Sequence, residues 1–208
     1  FEGSDKVYHL TWDKGNDKKM LQKFAEVINS ADEVIGHNSD RFDVKWVRTR
    51  CIYHGIPMTH DIKSIDTLKA SRSKFKFNSN KLDYIGKYLG LGEKMETGGF
   101  SLWKDIVLKN SKKALNKMVA YCKQDVVLLE KIFQKLNPYL PVKTNAAVMF
   151  ERDTCTCPEC LSEHTVVNKR KISAAGIRTI GLQCRDCGKY FSMSEAKFDR
   201  AQRLLPNE

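Results

Sequence analysis

The chain has 208 residues, 41% of them hydrophobic and 29% charged, with a formal net charge of +11. That length fits one ordinary domain plus a small appendage, with apolar residues enough for a packed core. No stretch approaches the run of about 18 apolar residues that spans a bilayer, and the opening "FEGSDKVYHL" lacks the apolar core of a signal peptide.

The charge is uneven. Residues 1–150 hold 26 Lys+Arg against 17 Asp+Glu, a net +9; residues 151–208 hold 10 against 8, a net +2. An excess of this size points to a polyanionic partner, most simply nucleic acid; solubility alone is the plainer reading. Of the seven cysteines, Cys51 and Cys122 fall in helical patterns and read as small core residues. The other five crowd into the C-terminal quarter, which reads as a metal site in a reducing, cytoplasmic compartment.

In chain order, "KVYHLTW" (6–12) reads as a strand. "DKKMLQKFAEVINSA" reads as a helix with Met20, Leu21, Phe24 and Ile28 on one face. "DEVIGHN" is a short buried strand. "RFDVKWVRTRCIY" is a second helix, stopped by Gly55 and Pro57. "HDIKSIDTL" reads as a strand, and "NKLDYIGKYLG" as a helix with Leu82, Ile85 and Leu89 as its stripe. "GEKMETGGF" is a loop. "SKKALNKMVAYCKQDVVLLEKIFQKL" is the longest helix. This alternation predicts an α/β layered domain over residues 1–141, then a linker at 142–154, a cysteine-rich module at 155–193 and a tail at 194–208 with a short helix.

On the long helix, Leu115, Met118, Cys122, Val126, Leu129 and Phe133 form the apolar stripe, and Asp125 falls inside it with Tyr121 one turn earlier. A carboxylate on an apolar face needs a cation or a metal beside it, although a buried ion pair or a helix cap serves equally. Asp43 opens its helix beside the carboxyl end of the strand "EVIGHN". Ligands collect at such ends in α/β sheets, while the helix dipole alone also favours an acid there.

Taken together, Asn38-x-x-x-Phe42-Asp43 and, about eighty residues on, Tyr121-x-x-x-Asp125 resemble the DEDD family of 3′–5′ exonucleases, the proofreading branch of the RNase H-like fold. "SIDTL" and "SNKLDYIGKYLGL" sit between the two motifs in the order seen in that family. The stretch 6–193 looks particularly like small predicted phage and bacterial exonucleases that end in a zinc ribbon. The resemblance implies four carboxylates holding two Mg²⁺ or Mn²⁺ ions about 3.5–4 Å apart. One ion activates water and the other stabilises the leaving 3′-oxygen. It implies that Asp43 and Asp125 are catalytic metal ligands, that Tyr121 orients the attacking water, and that Asn38 shapes the substrate side. Phe42 is expected to pack in the core and fix the turn that aims Asp43.

The family's first motif, Asp-x-Glu on a central strand, is absent from this chain. With the first residue not Met, this leads to the expectation of an N-terminally truncated chain, inactive unless an upstream strand supplies those acids. Asp66 in "SIDTL" is expected to be structural rather than a replacement ligand. His37 can touch substrate phosphate or sit in a polar network. "SRSKFKF" interleaves Arg72, Lys74 and Lys76 with Phe75 and Phe77, cations for phosphates and rings for bases, or else an amphipathic strand or lid edge. The expected partner is the 3′ end of single-stranded DNA.

Cys157-x2-Cys160 and Cys184-x2-Cys187, 23 residues apart, form two knuckles that can set four thiolates around Zn²⁺. Between them "TVVNKRKI", "SAAG" and "RTIGLQC" read as a hairpin. Cys155 and His164 are expected to lie outside the metal set. The ribbon can take nucleic acid through Lys169, Arg170, Lys171 and Arg178, or dock a protein. The rival to an exonuclease is a non-catalytic nucleic-acid-binding module, a degenerate nuclease fold carrying a zinc ribbon.

Overall fold

The structure, a computed structural model, describes residues 3–4, 6–13, 15–93 and 99–204. Residues 94–98 of the expected loop "GEKMETGGF" and 205–208 of the tail lie outside the described residues. The chain divides into two compact units, Phe1–Lys135 and Leu136–Glu208.

In the first unit, helix α1 spans Lys18–Ser30 and buries Leu21, Ala25 and Ile28, spaced by four and three residues along one face. Phe24, expected on that face, lies about 60° off its centre and is largely exposed. Strand β1 (Val34–Gly36) leads into helix α2 (Asp43–His54), and β1 pairs in parallel with strand β2 (Ser64–Asp66). Val47 and Cys51 of α2 meet Leu21 and Ala25 of α1 in one apolar cluster, with Met20, Ile56 and Met58 at its edge. Emptying the Leu21 position to Ala would cost about 2–5 kcal/mol.

Two polar devices hold this pair of helices. Asp17, just before α1, receives Arg50 Nε and Nη2 at 2.7 and 2.8 Å and lies 2.7 Å from His54 Nε2. The Arg50 hydrogen bonds hold the Asp17 carboxyl well below the usual carboxylate range, outweighing desolvation, and the His54 bond adds to them. Gly55 then ends α2 at φ 65°, its N–H donating to the Ile52 carbonyl at 3.1 Å, as the expected stop requires.

Helix α3 (Thr67–Lys74) follows β2 without a loop, so the expected strand over 60–68 shrinks to three residues. Helices α4 (Leu82–Tyr88), α5 (Phe100–Lys109) and α6 (Lys112–Leu136) complete the unit. Leu82 and Ile85 are buried as expected. A Cβ on Gly86 would sit 2.9 Å from a Leu128 methyl, so α4 meets α6 there at close range. Leu102 and Ile106 of α5 pack on Ala114 and Met118 of α6, with Leu115 and Tyr121 against them.

Three expectations fail here. The residues 6–12 form no strand, and Tyr8, Leu10 and Trp12 are exposed, because no sheet edge pairs with them among the described residues. Cys122 and Val126 are exposed although the helical pattern placed them in the stripe. Among the described residues, α6 has buried contacts at Ala114 and Met118, against α5, and at Leu128, against α4.

In the second unit, a 3-10 turn (Asn137–Tyr139) and helix α7 (Ala146–Met149) precede strands β3 (Thr165–Ile172), β4 (Arg178–Cys184) and β5 (Tyr190–Ser194). The strands are antiparallel in the order β3-β4-β5, and the expected hairpin is β3–β4. Ile180 and Leu182 turn to one face, which helix α8 (Glu195–Leu204) covers. Arg170 from that face stands 5.8 Å over the Phe198 ring. The stretch 142–154, expected as a linker, is built into this unit: Ala147 is buried and the Ala146 N–H donates to the Pro158 carbonyl at 2.9 Å.

Candidate functional site

The parallel register sets Gly36 beside Asp66, so the carboxyl ends of β1 and β2 lie together. Gly36 is required there: a Cβ would fall 2.2 Å from Ser39 Oγ. The loop leaving β1 turns at Asn38, whose φ is 66°, and is fastened from below by Asp66. Asp66 Oδ1 accepts the N–H of Asn38 at 2.9 Å and Oδ2 that of Asp40 at 3.3 Å; Oδ1 also caps α3 through Leu68 N–H at 2.9 Å. Buried and saturated with backbone donors, Asp66 is a positioning residue, in line with the structural role expected from sequence.

Above this loop stand the polar side chains. Asp40 accepts from Lys69 Nζ at 2.7 Å and from the Ser64 hydroxyl. The Thr67 hydroxyl donates to the Gly36 carbonyl at 3.0 Å, so His37 Nδ1–H is the donor to Thr67 Oγ1 at 2.9 Å. His37 is thereby tied into a polar network at the strand end. Asp43 opens α2, and its carboxyl is raised above the ordinary value, first by desolvation and then by the nearby Asp66 charge.

Phe42 does not pack in the core as expected; it is 64% exposed. The turn is fixed by backbone instead, with Phe42 N–H on the Asn38 carbonyl at 3.1 Å and Val44 N–H on the Ser39 carbonyl at 2.9 Å. Asp125 lies mid-way along α6 with its Oδ1 buried, and Tyr121 packs beside the α5–α6 cluster. Lys74 ends α3 and, like Lys76, is exposed. Phe75 is half-buried and stacks on Phe77 at 5.7 Å, beginning a row of rings that continues to Tyr88 and Tyr84.

In the second unit Cys157, Cys160, Cys184 and Cys187 converge, with all four sulfurs within 4.8 Å of one another. Cys157–Cys187 and Cys160–Cys184 stand 3.6 and 3.7 Å apart. A tetrahedron of Zn–S bonds near 2.3 Å has an edge of about 3.8 Å, so the four thiols fit Zn²⁺. Burial pushes the Cys157 and Cys187 thiols up. It pushes Cys184 up too, yet the N–H groups of Cys187 and Asp186 outweigh it and set that thiol at about 7. Held this close, the four thiols can all ionise only beside a cation. Cys155 and His164 stay outside the set; His164 instead pairs with Asp186 at 3.3 Å. Among the described residues this is the one group of three or more Cys, His or acidic side chains that converges to metal-binding distance.

Sequence reading missed two clusters: Asp17–Arg50–His54 and a buried lysine, Lys189. Lys189 Nζ donates to Asn137 O and Oδ1 at 3.0 and 2.7 Å and pairs with Glu159 at 3.3 Å. Nothing in the local patterns announces either cluster, because both join residues thirty or more positions apart.

The first unit thus combines two parallel strands, acids near their carboxyl ends and a long helix bearing Tyr121 and Asp125. A family model described as the RNase_H superfamily matches residues 2–137. The chain belongs to the RNase H superfamily, whose nuclease fold is metal-dependent and binds nucleic acid. No curated protein matches the chain, and no solved structure does. No helix among the described residues is long and apolar enough to cross a membrane.

Proposed function

We propose that this protein is a 3′–5′ exonuclease of the DEDD type acting on single-stranded DNA ends, with Asp43 and Asp125 as metal ligands and Tyr121 as the group that orients water. The observation that carries this reading is Asp43. It is held at the carboxyl ends of two parallel strands by a loop that Asp66 fastens, and its carboxyl is raised, as expected of an acid awaiting a cation. The Asn38-x-x-x-Phe42-Asp43 and Tyr121-x-x-x-Asp125 spacings support it.

Two divalent ions bound at such a site supply charge on both sides of the scissile phosphate and a polarised water. The chain's own residues do the rest. Asp66 fixes the loop so that Asp43 stays in place. Tyr121 Oη offers a hydrogen bond to a water beside Asp125. Asn38, His37, Lys74, Phe75 and Lys76 are assigned in this reading to hold the 3′-terminal nucleotides. The remaining two acids come, in this reading, from a further strand on the edge of β1 opposite β2. That edge has no strand among the described residues.

The test is a 5′-labelled oligonucleotide incubated with Mg²⁺ and protein carrying an acid-bearing strand fused ahead of residue 1. A ladder shortening from the 3′ end, lost in Asp125→Ala, is expected. A ladder that persists in Asp125→Ala would remove the assignment. An inert extended protein that still binds the oligonucleotide would leave a binding module instead.

A further inference from the structure

The hairpin of the cysteine-rich unit carries four cations, and the strand register sorts them. Directly opposed residues share a face. Arg170 is opposed to Ile180 and Arg178 to Ile172, which puts both on the side that α8 covers. There Glu195 accepts from Arg170 at 3.2 Å and pairs with Arg178 at 3.6 Å. Lys169 and Lys171 point the other way. Lys169 is opposed to Gly181, which is opposed to Ser192; Lys171 is opposed to Thr179, which is opposed to Ser194. One row further, Gln183 is opposed to Tyr190.

The open face therefore has a definite make-up. Small side chains occupy its middle and far edge: Gly181, Thr179, Ser192 and Ser194. A Cβ on Gly181 would crowd the Lys169 carbonyl at 3.3 Å, so the centre stays flat. Lys169 and Lys171, both exposed, stand on one edge about 7 Å apart along the strand. The three strands contain no Asp or Glu. At one end the exposed Tyr190 ring lies beside Tyr139, centroids 5.8 Å apart and planes tilted 31°. The aliphatic side chain on this face, Val166, is half-buried.

We propose that this open face of the ribbon sheet binds single-stranded nucleic acid, with Lys169 and Lys171 on successive phosphates and Tyr190 stacked under a base. Two unneutralised cations at phosphate spacing, a flat polar floor and one supported ring form a stacking platform with an electrostatic edge. A protein partner would meet almost no apolar surface here and no carboxylate to pair with its own cations, so nucleic acid is the occupant the face fits. The site belongs to the second unit, whereas Asp43 and Asp125 belong to the first, and it takes from the preceding reading only its ligand class.

The test uses the full chain with zinc retained and no added Mg²⁺, and a fluorescent oligo-dT strand titrated at several salt concentrations. The Lys169→Ser, Lys171→Ser double variant should lower the salt slope by about 1.4, two contacts at ~0.7 each. Tyr190→Ser should weaken binding about tenfold. Arg178→Ser, on the side that α8 covers, should bind like the parent, and the position of a photochemical cross-link separates this site from the nuclease reading. Zinc content checks each variant's fold. On the unaltered chain, a 5-bromouracil oligonucleotide irradiated in complex should cross-link to the tryptic peptide from Tyr190 to Lys197. An unchanged slope in the double variant, or cross-links confined to residues 1–135, would overturn the proposal and leave the face to a protein.

Discussion

Asp66 Oδ1 accepts the backbone N–H of Asn38 at 2.9 Å, tying the end of one parallel strand to the loop that leaves the other. The same carboxylate holds Asp40 and caps α3, so three segments meet on one buried acid. Asp66→Ala should therefore cost about 2–4 kcal/mol, a lost cap plus stranded charge-assisted bonds. Urea denaturation checks the figure. A loss below about 0.5 kcal/mol would show that the loop holds its shape without Asp66.

Zinc should bind at about one per chain. Cys184→Ser should release it and unfold the β3–β5 sheet, because the metal supplies much of the fold of so small a unit. The helices of the first unit should survive, read as retained far-ultraviolet circular dichroism. Elemental analysis of protein purified without chelator would sink this idea by finding no zinc.

Lys189 is a second fastener of the same unit. It is 2% exposed and joins Asn137 and Glu159. Glu159 is exposed, so removing the lysine chiefly leaves the buried Asn137 oxygens without their donor, at about 1–3 kcal/mol. Lys189→Ala should lower the melting temperature of the second unit, whereas Lys189→Ala with Glu159→Gln should recover part of the loss. No recovery would mean that the network is not the source of the effect.

The sequence made some of this legible and hid the rest for identifiable reasons. The β3–β4 hairpin and the four cysteines were readable because their signals are local: two short runs joined by "SAAG" and two CxxC pairs. The order of α1, β1, α2 and β2 was readable from periodicity and from Gly55. Phe42 was misread because an apolar residue beside an acid suggests packing, while backbone bonds from Asn38 and Ser39 suffice to fix the turn. Cys122 and Val126 were misread because a helical wheel assumes a neighbour along the whole helix. The ion pairs of Asp17 and Lys189 were invisible because burial, not pattern, creates them.

Asp43 gives a prediction with a sign. Its folded-state carboxyl is raised above the unfolded value, mainly by desolvation. Below the unfolded value near 3.9 both states are protonated and there is no penalty. As pH rises through the folded value, the ionised form costs stability, and the cost is complete at neutral pH. Asp43 is exposed, so solvent screens the cost: Asp43→Asn should melt slightly higher than the parent at pH 7 without divalent ions, and the gain should vanish near pH 3.5. Added Mn²⁺ should raise the parent more than the variant. Equal melting temperatures at pH 7 would show that Asp43 is not strained.

The activity prediction separates an incomplete site from a wrong one. Two carboxylates attract a cation weakly, and the second ion of a two-ion site would lack most of its ligands. Losing one preorganised electrostatic element often costs about 10² to 10³ in rate, so residues 1–208 alone should show negligible nuclease activity with Mg²⁺ or Mn²⁺. In protein carrying an acid-bearing strand fused ahead of residue 1, Asp43→Ala and Asp125→Ala should each abolish 3′-to-5′ digestion. Tyr121→Phe should slow kcat while leaving KM near the parent's, because a hydroxyl that aligns water acts in the transition state more than in binding. If Tyr121→Phe instead raised KM at constant kcat, Tyr121 would be a substrate contact, and the water-orienting role would pass to another residue.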